Sequence, residues 1–546
     1  MGPKVFLAFL LLASFEFRLA RSEAQVQTGK PQTSGQQTSA PQTPNSPDEP
    51  GAANQRSDNH LQSSPLSGES KISPPEAEEL FRSVDRIIAF SSQDTGLPLR
   101  HPVQRRLITR DELTKYLEMH MREDKDAQRL KRSELVLKKF GLLPANFDLH
   151  SFLLSLLREQ VAGYYDVKTK TVNLLDWVDA EQQKPVLAHE LTHALQDQSF
   201  NLEQWMKVGD TDLALSDKNP TPEDIERDEA QTVRQAVVEG QAMAVLVDYM
   251  LAPTGQSLTS SPQIVEALKA GMLVGTADSV EFHNAPIFLK EVLTFPYRYG
   301  LDFVSDVLTK KGKERAFAGI LAKPPHITRE IMEPTTYLAG EHIDPLPLPD
   351  FARLMKDYQK FDVGSMGEFD VALLLDEYAG PDGAKALYPS WRGGYYYAAR
   401  PKSDPSAPLA MVYVSDWVSP GSALKFAEIY RESLKKRYHS LRLIAGRGDE
   451  AEHTGKASGL RDDEWLTEAG DVMIDRQGST VLITESVDDV TSAKLREAVL
   501  SQPPLSAPNT MGSNDLPALH SSVCSALNAF ARFPAGAEID KPSPSR

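Results

Sequence analysis

A single cysteine, Cys524, stands among 546 residues. That excludes an intrachain disulfide, so core packing and any bound metal must supply the stability. Cys524 sits in LHSSVCSALNAFARF and reads as a small apolar packing residue rather than a nucleophile. Positive charge is also short: 59 Lys and Arg face 76 Asp and Glu, for a net charge of -17. Phosphate binding needs a basic face, so nucleic acid is not an expected partner. Beyond the N-terminus no stretch reaches the roughly 18 consecutive apolar residues of a membrane helix, and no membrane span is expected in the mature protein. No repeat of solenoid or propeller period is present. Histidine is scarce, with twelve in all, so a place where two stand together is informative.

The N-terminus, MGPKVFLAFLLLASFEFRLARSEAQ, has Lys4 before an apolar run from Val5 to Ala13, and small residues at Ser22 and Ala24. This is the pattern of a signal peptide over 1–24, and it implies a secreted or periplasmic protein. Ala20 offers an alternative cleavage position. Residues 25–73 are rich in Gln, Thr, Ser and Pro and almost free of large apolar side chains. Such a composition cannot bury enough surface to offset chain entropy, so a disordered linker is expected there.

From Pro74 the pattern becomes globular. Glu76–Phe90, Arg129–Phe140 and Ser151–Gln160 have helical spacing. VAGYYDVKTKTVNLL (161–175) predicts a hairpin turning at Asp166-Val167-Lys168-Thr169-Lys170. A helix-rich block follows over about 223–311. From about Trp391 strands dominate (GGYYYAAR, APLAMVYVSDW, DVMIDRQG, STVLITES), with one helix at Ser422–Arg437. The expected class is α+β: a mostly helical domain over 74–349, a strand-rich α+β domain over 350–500, and a Pro/Ser-rich tail with one short helix over 501–546.

The chemistry concentrates in AHELTHALQD (188–197). Four residues along a helix turn the side chain through only about 40 degrees, so His189 and His193 project side by side and can hold one ion. Pro185 suits a first helical position. Leu187, Leu191 and Ala194 fall on the opposite side and would dock an amphipathic helix into the core. Glu190 lies one residue's rotation from His189, where it can reach a metal-bound water without binding the metal. Two imidazoles, a neighbouring carboxylate and an open coordination position are what a zinc hydrolase requires. A catalytic zinc usually has three protein ligands. Glu239 is the lone acid amid Ala236, Val237, Met243, Ala244 and Val247, and a buried carboxylate is costly unless it is paired or bound to a metal. It is the expected third ligand. Glu229 is the rival, within a charged run that reads as a solvated helical turn.

With HELTH at 189–193 and the glutamate of VVEGQA on a later helix, the chain resembles the gluzincin, thermolysin-like branch of the zinc metallopeptidases. The resemblance covers roughly Leu130 to Tyr337. GYYDVKTKTVNL looks like the edge-strand region that binds extended substrate in that group, and LTFPYRYGLDFV and PPHITREIMEP look like stretches of uncharacterised secreted proteins with this domain. It implies a zincin-like catalytic domain that cleaves peptide bonds of a peptide or protein substrate. Zinc would be held by His189, His193 and Glu239, and Glu190 would serve as general base. Tyr297, Tyr299, His283 and His326 are open candidates for an oxyanion donor. One departure stands out. In thermolysin an aspartate four residues after the third ligand orients a ligating histidine; here that position is Met243. That partner is either missing or supplied from elsewhere; Asp197, one turn beyond His193, could serve, and the long spacer 201–228 could line or cover the cleft.

Two rival readings remain. One is an inactive, zinc-stabilised binding module with Trp391, Tyr395, Tyr396 and Tyr397 as a recognition surface, although an aromatic strand is more often core. The other is a zinc amidohydrolase acting on a non-peptide substrate.

Overall fold

The computed structural model describes residues 5–9, 72–120, 124–207, 216, 219–261, 263–267, 280–446, 463–502 and 509–510. Nearly all of the expected linker (25–71) and of the C-terminal tail, with Cys524, lie outside the described residues, as does most of the expected signal segment.

Strand β1 (Val5–Phe9) is followed by helix α1 (Pro74–Thr95), β2 (Gln104–Ile108), α2 (Arg110–His120), α3 (Asp124–Phe140) and α4 (Leu149–Gln160). The predicted hairpin forms from β3 (Val161–Asp166) and β4 (Thr171–Leu175). Its turn is held by Asp166 Oδ1, which accepts from the backbone of Lys168 and Thr169. Lys170 occupies the left-handed region that the turn requires. These strands form one sheet in the order β1-β3-β4-β2, with β2 parallel to β4 and the other pairs antiparallel. Thus β3 lies between β1 and β4. It becomes an edge strand only in a chain from which β1 has been cut.

Three long helices follow: α5 (Ala180–Phe200), α6 (Pro222–Leu251) and α7 (Ile287–Lys311). Asp179 caps α5 by accepting from the N–H groups of Glu181 and Gln182. The helix therefore begins earlier than expected, and Pro185 lies inside it rather than at its first position. Residues Val186 to Asp197 are all buried. An amphipathic helix was expected; α5 is buried on every side, between α1, α6 and β3. Helix α6 starts at a capping box of Thr221 and Asp224. With the short turn after it, α6 is long and apolar enough to cross a membrane, but 72% of that window is buried inside the protein, so it serves as a core helix.

Helices α6 and α7 cross in backbone contact. A Cβ at Gly240 would stand 2.2 Å from the Gly300 carbonyl oxygen, and one at Gly300 would stand 2.2 Å from that of Ala236. Only glycine fits at either position.

After short helical segments between 315 and 354 comes a seven-stranded antiparallel sheet with helices. Its elements are β5 (Tyr358–Ser365), α8 (Glu368–Leu387), β6 (Trp391–Pro401), β7 (Ala410–Trp417), α9 (Pro420–Arg437), β8 (Leu441–Gly446), β9 (Asp463–Thr467), β10 (Gly470–Gln477), β11 (Thr480–Glu485) and α10 (Asp489–Leu500). The strand order is β5-β6-β7-β11-β10-β9-β8. Trp391, Tyr395, Tyr396 and Tyr397 are all buried, so this aromatic strand is core and not a recognition surface. One apolar cluster runs without a break from Leu80 to Ile483. A second, with Phe351, Tyr395, Val412 and Leu495, lies beside it. The mixed α+β class is as expected from the pattern of elements.

Candidate metal centre

Helix α5 supplies His189, Glu190 and His193, and α6 supplies Glu239. None of the four is more than 1% exposed. His189 Nε2 lies 3.1 Å from Glu239 Oε2 and 3.1 Å from His193 Nε2, and His193 Nε2 lies 3.4 Å from Glu239 Oε2. A tetrahedral ion with bonds of 2.0–2.1 Å has ligand atoms separated by roughly 3.3 Å. The three observed separations match that edge, and these residues form a group able to hold a metal ion. Burial alone would raise the Glu239 carboxyl, but the imidazoles of His193 and His189 more than offset it and hold the group at about 2. Burial pushes His189 below its ordinary value, in favour of the neutral ring that coordinates a cation.

Burial works against charge on His193 too, but there Glu239 and then Glu190, which stands beside this group, outweigh it and raise the ring above its ordinary value. Glu190 Oε2 accepts the backbone N–H of Tyr165 on β3 at 2.7 Å. The strand expected to carry substrate and the residue expected to act as base are thus joined directly.

Glu229 is not part of this centre. It is buried, not solvated as expected, and its Oε2 accepts from the N–H and hydroxyl of Thr328 at 2.7 and 2.5 Å. Of the four candidate donors, Tyr297 is brought to the site: its ring stacks 6.3 Å from that of His189. Burial raises its phenol well above the usual value, with Glu239 and Glu190 adding to the effect, so the hydroxyl keeps its proton. Tyr299 instead packs on Phe295 and Phe369. His283 and His326 are exposed.

Asp197 does not orient a ligand. It accepts from the Tyr165 hydroxyl, Lys170 Nζ and the Leu202 N–H, which braces the hairpin against α5. The partner of His193 is Gln196, whose Oε1 lies 2.9 Å from His193 Nδ1. Sequence reasoning passed over it, and only the spacing of three residues on one helix face signals it. Within the 201–228 spacer, Leu202–Trp205 forms a short helix, while residues 208–215, 217 and 218 lie outside the described residues.

No protein-family model, curated protein or solved structure matches the chain. The case for a metal centre therefore rests on these residues and their geometry.

Proposed function

We propose that the chain is a zinc-dependent metallopeptidase of the gluzincin type, exported and then active on peptide or protein substrates. The observation that carries this reading is the convergence of two Nε2 atoms and one carboxylate oxygen at tetrahedral spacing, with a further carboxylate, Glu190, beside them. His189, His193 and Glu239 would hold the ion. When bound, zinc would polarise the scissile carbonyl and make water a better nucleophile near neutral pH.

Glu190 would take a proton from the attacking water and return it to the departing amine. A purely structural metal site has no need of this carboxylate. The protonated Tyr297 hydroxyl would donate toward the oxygen of the carbonyl under attack. Substrate would lie extended along β3, pairing backbone to backbone. Val5–Phe9 holds that edge in antiparallel register, from Val5 opposite Asp166 to Phe9 opposite Val161. Removal of residues 1–24 would free it.

A metal-stabilised binding module is the second reading, favoured by the burial of all four site residues. The test uses the protein purified from residue 25 onward. About one zinc per chain and hydrolysis within a broad peptide library, lost with a chelator and regained with zinc, are expected. Zinc without hydrolysis of any peptide would favour the binding module, and no zinc would defeat both readings.

A further inference from the structure

Behind His193 a chain of two buried amides runs to the far side of the core. Gln196 Nε2 donates to the Val238 carbonyl at 3.1 Å and to Gln241 Oε1 at 2.8 Å. Gln241 Nε2 donates to the carbonyls of Ala316 and Phe317, at 2.8 and 3.0 Å, in the π-helical turn Arg315–Gly319. Gln196 and Gln241 are completely buried.

The polarity of this chain has only one solution. A backbone carbonyl can only accept, so the Gln241 atom facing Ala316 and Phe317 must be its nitrogen. Its oxygen then faces Gln196. The Gln196 atom between that oxygen and the Val238 carbonyl must likewise be nitrogen. Gln196 therefore turns its oxygen to His193 Nδ1, which must carry a proton, so that in the neutral ring the lone pair falls on Nε2, the atom that faces His189 and Glu239. His189 has no such support among the described residues: its Nδ1 is buried there with no hydrogen-bond partner.

We infer that Gln196, held in one orientation by Gln241 and three backbone carbonyls, is the positioning residue that presets His193 as a metal ligand. It fills the place for which Asp197 was one candidate. Because Gln241 lies two residues beyond Glu239 on α6, the same relay ties the helix bearing the third ligand to the ring of the second. Outer partners of this kind are worth roughly 10–100-fold in metal affinity. The inference rests on the metal-centre reading above.

The test is zinc affinity, measured by chelator competition on the whole mature chain, beside the melting temperature of the metal-free protein. Gln196→Met keeps the bulk and removes the acceptor, and should weaken zinc by roughly 10–100-fold. Gln196→Glu restores an acceptor for Nδ1–H but sets its other oxygen against the Val238 carbonyl. It should bind zinc within an order of magnitude of wild type while melting lower. Gln241→Met, which releases the orientation of Gln196 without touching His193, should weaken zinc in the same direction by less; it also serves if Gln196→Met does not fold. Wild-type zinc affinity in Gln196→Met, or in Gln241→Met should Gln196→Met not fold, would overturn the relay alone. So would equal losses in the Met and Glu variants that track their melting temperatures. Absence of zinc binding by the wild type would overturn the metal centre and the relay together.

Discussion

The backbone N–H of Tyr165 donates to Glu190 Oε2 across 2.7 Å, in an interior where Glu190 is wholly buried. The carboxylate is thus held by a main-chain donor, which substitution cannot remove. A Gln at this position can accept the same N–H through Oε1, whereas Leu leaves the donor without a partner. Leaving a buried donor unsatisfied costs about 1–3 kcal/mol. Denaturant unfolding of the metal-free protein should therefore find Glu190→Gln close to wild type and Glu190→Leu less stable by about that amount. Equal losses in the two variants would contradict this role for the Tyr165 contact.

Two glutamates on α6 should separate cleanly in metal binding. Glu239→Gln replaces a ligand oxygen with a neutral amide and should weaken zinc by more than the roughly 10–100-fold lost with an outer partner. Glu229→Gln should leave zinc affinity unchanged, since Glu229 is engaged by Thr328. Calorimetric titration of both variants decides the matter; the reverse ranking would mean that the wrong carboxylate has been placed at the metal.

Glu229 should instead govern a pH dependence. Burial raises its carboxyl from 4.5 to about 8, and the nearby acids Asp370 and Glu226 push the same way. The folded state therefore holds this proton more tightly than the unfolded chain does. The resulting stability is fully present below pH 4.5 and is lost as pH rises toward about 8. Glu229→Gln, which can offer Oε1 to the same Thr328 donors, should flatten the fall in unfolding free energy over that window. A slope unchanged by this substitution would show that other groups produce it.

The crossing of α6 and α7 makes a prediction for Gly300, which lies three residues beyond Tyr297. Gly300→Ala forces apart backbones that leave no room for a Cβ. Overpacking of this kind costs about 1–3 kcal/mol. Zinc affinity should fall as well, because the displaced α6 also carries Glu239. Thermal unfolding and zinc competition read the two effects, and an unperturbed variant would show that the crossing is looser than described.

The grouping of His189, His193 and Glu239 was legible in the sequence because its signals are local. Histidines four apart lie on one helix face whatever surrounds them, and a lone acid in an apolar helix such as Glu239 needs a partner. The hairpin at 161–175 was legible for the same reason. What escaped depended on distant partners. Gln196 and Gln241 are neutral amides whose importance lies in carbonyls far along the chain. Spacing put Asp197 on the same face as His193, but spacing does not decide which neighbour takes a carboxylate; Tyr165, Lys170 and Leu202 take it. Strand β2 reads QRRLI, and its side chains are mostly exposed, so no alternation marked it. Glu229 looked solvated because it stands in a charged run, and tertiary packing buried it.

The most direct measurement compares peptide hydrolysis by wild type and Glu190→Gln at matched zinc occupancy. Glu190 is proposed as the proton acceptor, and its amide counterpart preserves size and the Tyr165 contact while abolishing basicity. The account predicts equal zinc content, nearly equal melting temperature, and a loss of hydrolysis of at least the roughly 10²–10⁴-fold that general acid–base catalysis contributes. Equal hydrolysis by the two proteins would contradict it.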